Sequence, residues 1–465
     1  MRNVLIAVLV LLPVCSFAQT AMNVETAQKL PAAPMPQPAP AQTVPGMPPN
    51  DRQPAAPPGI PTSLSLNEAE ALALKNNPQI SVARLMALAS QQVTREARSS
   101  LWPTATANLT GVDSQENSRI TAGGLNNPIV YERAAAGIMV NQLITDFGRT
   151  TNLAASANYA AKAENQNAVA TKEQVLLAVD QAFYSALQAH AVLAVAQQTV
   201  SARQTVSDQV EALFTSKLRS QLDFSFASVN LAQAKLLLLD AENNQDAALA
   251  ALSAVLGYPG VHNFRLIEDT TPVVSPPGSV DDLIASAFAM RPEILALDFQ
   301  YRSAEKFQSA EHDLFYPTIA AVGVVGDTPV RNPVLSNWYG AVGVNVAIPL
   351  FNGFLYSARS REARLKTQAT QDRMLDLRNR ISRDVRTSWL NANTAYQRVS
   401  VTQQLLDQAS LALDLAQTRY KLGLSSIVEL SQAQLQQTQA QISSTEAGYD
   451  YRLALAVLRY QTTGL

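Results

Sequence analysis

The side chains best suited to catalysis or metal binding are few and scattered in this sequence. Its 465 residues contain one cysteine, Cys15, and three histidines, His190, His262 and His312. That set cannot build a disulfide framework or a structural zinc site, and the histidines share no spacing that would bring them to one metal. No G-x-S-x-G, G-x-x-x-x-G-K-[ST] or C-x-x-C occurs, so no elbow nucleophile, phosphate loop or redox pair is encoded. The expectation is a protein that is not an enzyme, needs no cofactor and takes any energy it uses from elsewhere. A formal net charge of −2 offers no clustered basic face, which argues against nucleic acid as a partner. What remains is the chemistry of position: carboxylates, arginines and tyrosines whose effect depends on the elements that hold them.

Those elements begin after two segments of unusual composition. Residues 1–18 open with Arg2, continue through an apolar run from Val4 to Val14 and end on Ser16 and Ala18. This is the pattern of a secretory signal peptide cut after Ala18, which would remove Cys15. Pro13 and Val14 fit poorly with lipidation of that cysteine. Residues 19–61 form a Pro-rich leader, with 12 prolines between Pro31 and Pro61. It reads equally as a semi-rigid polyproline II arm or as a low-complexity tail. No later apolar run is expected to reach the roughly 18 residues that a membrane helix requires.

From residue 62 the chain repeats itself, over 62–270 and 271–465. A shift of 214 places Pro78 on Pro292 and Leu101-Trp102-Pro103-Thr104 on Phe315-Tyr316-Pro317-Thr318. After those anchors the shift is 206, placing Gly137 on Gly343, Phe183 on Trp389, Asp223 on Glu429 and Leu252 on Leu458. Pro78 and Pro292 suit first turns of helices running toward the next proline, about 24 residues on. Between Arg149 and Leu256 there is neither Pro nor Gly. This predicts a helix of about 65 residues, roughly 100 Å long, broken near Lys217–Gln221 and followed by one of about 35. The second half repeats this with its break at Gly423. Two stacked short helices would then line each long one, in an extended coiled-coil-like assembly. Phe183, Tyr184 and Trp389 read as core between helices.

Between the short and long helices the period changes to two. Thr104, Thr106, Asn108 and Thr110 alternate with Ala105, Ala107, Leu109 and Gly111, and Val342, Val344, Val346 and Ile348 alternate with smaller residues. Hairpins are expected at about 104–112 with 134–145 and 318–326 with 338–349. One apolar and one polar face suit a membrane barrel, although a soluble hairpin on the helices has the same pattern. Four strands cannot close a barrel, so several chains must contribute, and three would supply twelve.

Six motifs in this duplicated frame resemble the TolC-like family of outer-membrane efflux and secretion channels. They are Asn77-Pro78, Arg291-Pro292-Glu293, Tyr316-Pro317-Thr318, Asp146-Phe147-Gly148-Arg149, Pro349-Leu350-Phe351-Asn352-Gly353 and Arg419-Tyr420-Lys421-Leu422-Gly423. The resemblance implies a mostly α fold with a membrane β-barrel: a homotrimer whose 12-stranded barrel sits in outer-membrane lipid above a long helical periplasmic tunnel. It implies a passive exit duct of a tripartite efflux or type I secretion system, opened by an inner-membrane pump or transporter and a periplasmic adaptor. It also implies a gate at the helix breaks. Gly423 and Glu429 match the family's tip glycine and first acidic ring, whereas Gln432 replaces the second. Tyr420 matches the tip tyrosine and Asp223 its acidic partner, while Ser425 stands where the family has a basic residue. The first-repeat tip, Lys217-Leu218-Arg219-Ser220, lacks the usual glycine, and Arg219 is available as a replacement pairing. Lys217, Arg219, Leu422, Leu424 and Ser425 are the adaptor-contact candidates. On residue type alone, Asp223 and Glu429 also fit helix-start acids favoured by the macrodipole, and Tyr420 a packed aromatic. The alternative function is a periplasmic adaptor or coiled-coil scaffold that does not conduct.

Overall fold

The computed structural model describes residues 63–113, 133–268, 274–276, 278–330 and 336–462. The chain divides into two units, Met1–Ile60 and Pro61–Leu465, and all described residues belong to the second. The expected signal peptide, Cys15 and the Pro-rich leader lie outside them.

The first half begins with β1 (Ser63–Leu64), α1 (Leu66–Asn76) and α2 (Pro78–Ser99). Ser65 and Glu68 close a capping box on α1, and Asn77 caps α2 by accepting from the Gln79 amide at 2.9 Å. Strands β2 (Thr104–Val112) and β3 (Arg133–Thr145) follow, then α3 (Arg149–Thr215), α4 (Gln221–Val255) and β4 (Arg265–Leu266). The second half carries α5 (Val280–Met290), α6 (Pro292–His312), a short 3₁₀ turn at Asp313–Phe315, β5 (Thr318–Val330), β6 (Trp338–Ala347), α7 (Leu355–Lys421) and α8 (Ile427–Thr462).

The long helices α3 and α7 have 67 residues each, and every bound of α3 recurs in α7 at a shift of 206. Helices α1 and α5 recur at 214, although the sequence pattern did not reveal them. Both are 11 residues long, too short for their period to stand out beside the prolines that follow. α2 and α6 stop at Ser99 and His312, a few residues before the prolines expected to end them. A proline disfavours helical backbone in the residue before it, so the last turn unwinds early.

α3 packs along both α2 and α4, and also against α6 and α8. One core lies where α2 gives way to α4 along α3: Leu64, Val175, Val179, Phe183, Leu252 and Leu256 are buried together. There the Asn77 amide donates to the Val255 carbonyl at 2.9 Å, tying the start of α2 to the end of α4. Gly257, at φ +85°, closes this junction, since a β-carbon would sit 2.7 Å from the Asn76 carbonyl oxygen. In the second half Ala287, Ile294, Ile381 and Val385 form the corresponding core. Arg291 pairs with Glu293 at 2.9 Å and donates to Gln461 at 2.7 Å, fastening α6 to α8.

Helix α4 is long and apolar enough to cross a membrane by length and composition, contrary to the expectation from the sequence. Its apolarity has a local use. Ala227, Ala234 and Ala241, seven residues apart, are buried, while Leu222, Val229 and Leu236 repeat the spacing on the exposed side. That is a helix with two apolar stripes, one spent on its own chain.

β1 and β4 pair in parallel by themselves, and the four longer strands form one antiparallel sheet in the order β2-β3-β5-β6, with β2 and β6 at its edges. Side chains on one face are apolar and uncovered: Leu109 is 87% exposed, Trp338 68% and Val342 92%. In one cross-strand row, Asn108, Gly137, Gly326 and Tyr339 are paired in register. The Tyr339 ring lies across both glycines, and a β-carbon at either would collide with it.

Candidate functional site

Both long helices end in the same way. At the end of α3 the Leu218 amide donates to the Leu213 carbonyl at 2.8 Å, and at the end of α7 Leu424 donates to Arg419 at 2.8 Å. These six-to-one bonds define a Schellman stop, which needs a left-handed residue just inside it. Gly423 supplies it at φ +75°, and Lys217, the residue 206 positions earlier, supplies it at φ +61°. The missing glycine of the first break is thus replaced by a lysine in a conformation costing an L-residue about 1 kcal/mol.

Each break then restarts a helix. The Ser220 hydroxyl accepts from the Asp223 amide at 3.2 Å, and the Asp223 carboxylate accepts from the Ser220 amide at 3.1 Å, a closed capping box. The equivalent pair is half made: the Ser426 hydroxyl accepts from the Glu429 amide at 3.3 Å. The Glu429 carboxylate turns instead to Arg419, 3.4 Å away across the break. The two acids therefore share a position in the repeat but not a partner.

The two breaks meet through Arg219. Its guanidinium lies 4.3 Å from the centre of the Tyr420 ring and donates to the Tyr420 carbonyl at 3.1 Å. This holds the last turn of α7 to the start of α4. Tyr420 packs with Ile427 and Leu430, and Phe226 of α4 and Leu413 lean on that cluster. Asn230 donates to the Ser431 hydroxyl at 2.7 Å a turn further along.

The Tyr420–Asp223 pairing that the resemblance implied is not made as a hydrogen bond. The buried Tyr420 hydroxyl has no hydrogen-bond partner among the described residues. Asp223 is close enough to act on it through charge: burial first, with Asp223 adding, pushes the Tyr420 phenol up, against an opposing pull from Arg219. The carboxylate itself is committed to its own helix cap. Among the described residues the side chain gripping Tyr420 is Arg219 rather than Asp223. The Ser425 hydroxyl, where a basic residue would project, is likewise buried without a partner.

Around these polar contacts the surface is apolar. Leu422 and Leu424 are about two-thirds exposed, and so are Leu218 and Leu222 of the first break, with Val428 half exposed. The sequence reading missed Leu218, Leu222 and Val428, although the shift of 206 pairs Leu218 with Leu424 and Leu222 with Val428. The histidines lie apart: His190 near Phe264 and Tyr449, His262 edge-on to Tyr258 at 4.8 Å, and His312 beside Phe315 and Tyr316.

Comparison with known proteins gives a consistent likeness. The outer membrane efflux protein family model matches residues 71–258 and 283–463. The chain is 24% identical over 332 residues to outer membrane efflux protein BepC of Brucella suis, covering 68% of this chain and 69% of that protein. It is 22% identical over 413 residues to outer membrane protein TolC of Escherichia coli strain K12, covering 83% and 81%. Among solved structures, the outer-membrane channel OprN superposes with a TM-score of 0.76 at 16% identity, over 86% of this chain and 90% of that one. The open-state MtrE outer membrane channel of Neisseria gonorrhoeae superposes with a TM-score of 0.71 at 20% identity, over 86% and 89%.

Proposed function

The chain belongs to the outer membrane efflux protein family and lies in the outer membrane, and from that premise we propose that it is the passive exit duct of a tripartite efflux or type I secretion system. Three copies contribute four strands each to a 12-stranded barrel, and their long helices form the periplasmic tunnel. One observation carries this reading. A four-stranded sheet with an uncovered apolar face and two free edges leads directly into two helices of about 100 Å. Free edges are untenable in lipid, where unpaired backbone groups cost several kcal/mol each, and closure by further copies pairs them.

The gate of this duct is the pair of helix breaks, with Asp223, Tyr420, Gly423 and Glu429 at its constriction and Arg219 holding the two breaks together. Lys217, Arg219, Leu422, Leu424 and Ser425, joined by Leu218, form the surface that the periplasmic adaptor engages when the inner-membrane pump opens the duct. The exposed leucines support an apolar contact there, since such a patch in water marks a partner site. In this reading transport through the subunit is downhill, and the inner-membrane pump supplies the energy.

Single-channel recording of the purified protein in planar bilayers tests the proposal. Discrete conductance steps are expected, larger in variants that free the breaks. A trimer that inserts and never conducts would overturn it and favour the non-conducting scaffold.

A further inference from the structure

Helix α7 begins at Leu355, eight residues after β6 ends at Ala347, and the segment between carries exposed apolar side chains. Leu350 is 92% exposed and Phe351 79%, and Phe351 meets Phe354 edge-on at 5.8 Å. Exposed aromatics at the end of a membrane strand mark the membrane–water interface. Immediately beyond them, a groove of about 550 Å³ on the first turns of α7, closed at one end by Phe315 of the 3₁₀ turn that follows α6, is lined by Ser357, Ser360, Arg361, Arg364 and Gln368. It adjoins a second hollow with Ser309, His312 and Asp313, sharing Ser360 and Arg364.

The charges here are unbalanced. The neighbouring Arg359 is matched by Glu311 at 2.7 Å, and Asp313 accepts from Asn152 at 2.8 Å. Among the described residues no such ion pair or hydrogen bond forms at Arg361 or Arg364. They stand six and nine residues into α7, about 9 and 14 Å along its axis. The headgroup layer is several ångströms thick, and arginine side chains reach toward it. Two free guanidinium groups one turn apart, with the Ser357 and Ser360 hydroxyls lining the same groove and Glu362 paired away to Lys366, fit the oxygens of a phosphodiester.

We propose that this groove on the first turns of α7 binds the headgroup of an anionic phospholipid of the periplasmic leaflet, with Arg361 and Arg364 taking its phosphate and Phe315 lying against its glycerol end. This rests on the outer-membrane reading of the strands and adds a defined lipid partner to it. The site would fix the depth of the barrel in the leaflet from below, as the apolar strand face fixes it from the side.

Native mass spectrometry of the full-length protein, released from nanodiscs of equal phosphatidylglycerol and phosphatidylcholine, tests this. The wild type is expected to retain phosphatidylglycerol in preference. The double variant R361Q/R364Q should lose that preference about tenfold, from roughly a factor of a few per basic residue, while R373Q/R378Q, further along α7, should keep it. Inorganic phosphate at millimolar concentration should not displace the lipid, since the apolar contacts belong to the lipid alone. Equal phosphatidylglycerol retention by wild type and R361Q/R364Q overturns the site, as does full displacement by inorganic phosphate. Both outcomes leave the duct standing if the variant still inserts and conducts. Failure of the wild type to conduct in planar bilayers would overturn the duct instead.

Discussion

Arg219 is the residue on which the two breaks depend most directly. It gives one ring-face contact and one hydrogen bond to Tyr420, together worth about 1 to 2 kcal/mol at a partly buried site. Arg219→Ala is therefore expected to raise bilayer conductance and to let large antibiotics leak inward in cells lacking the pump. Tyr420→Phe alone should change neither, because the hydroxyl it removes is unpartnered and the ring survives. Wild-type conductance in both variants would place the restraint elsewhere. A second residue-scale expectation concerns Asp180, buried in α3. Burial first, and then the Glu70 carboxylate, push it from 3.8 up to about 7. The folded chain thus binds a proton that the unfolded chain releases above about pH 4. The sign follows: stability is fully present below pH 4 and is lost as pH rises through about 7. Urea unfolding followed by helix content should show greater resistance at pH 5 than at pH 8, and Asp180→Asn should flatten that slope.

At the scale of elements, much was legible because the chain states its plan twice. The first long helix and its successor were readable from 108 residues without proline or glycine, and the strands from their period of two. The breaks were readable by type but not by partner. Gly423 announces a helix stop, whereas Lys217 does not, because its left-handed backbone is imposed by the Schellman bonds around it rather than by its own preference. Arg419 finding Glu429 and Arg219 finding Tyr420 depend on how two breaks approach in space, which no spacing encodes. Lys217 and Gly423 now make opposite predictions. Lys217→Gly removes a strained L-residue and should leave the thermal dissociation of the proposed trimer unchanged or slightly higher. Gly423→Val places a β-branched side chain at φ +75° and should lower it, by about 1 to 2 kcal/mol of stability. Heating series on semi-native gels would report both.

At the largest scale described, residues 63–462 join a four-stranded sheet to long helices, and in the proposed assembly a single copy leaves the sheet unfinished. Unpaired edges at β2 and β6 predict that no folded monomer persists in lipid, and crosslinking of membranes should trap trimers; a stable inserted monomer would refute the assembly. The Tyr339 ring resting on Gly137 and Gly326 bears on how such a chain can evolve. After a duplication, two halves are ordinarily free to drift apart, each accumulating its own substitutions. Here a residue of the first half, Gly137, shares one patch of space with two from the second. Gly137→Ala should be tolerated only where Tyr339 has already become small, and the reverse order leaves a hollow before it is filled. The halves are therefore held to a common mutational path at this row, long after the rest of their sequences have parted.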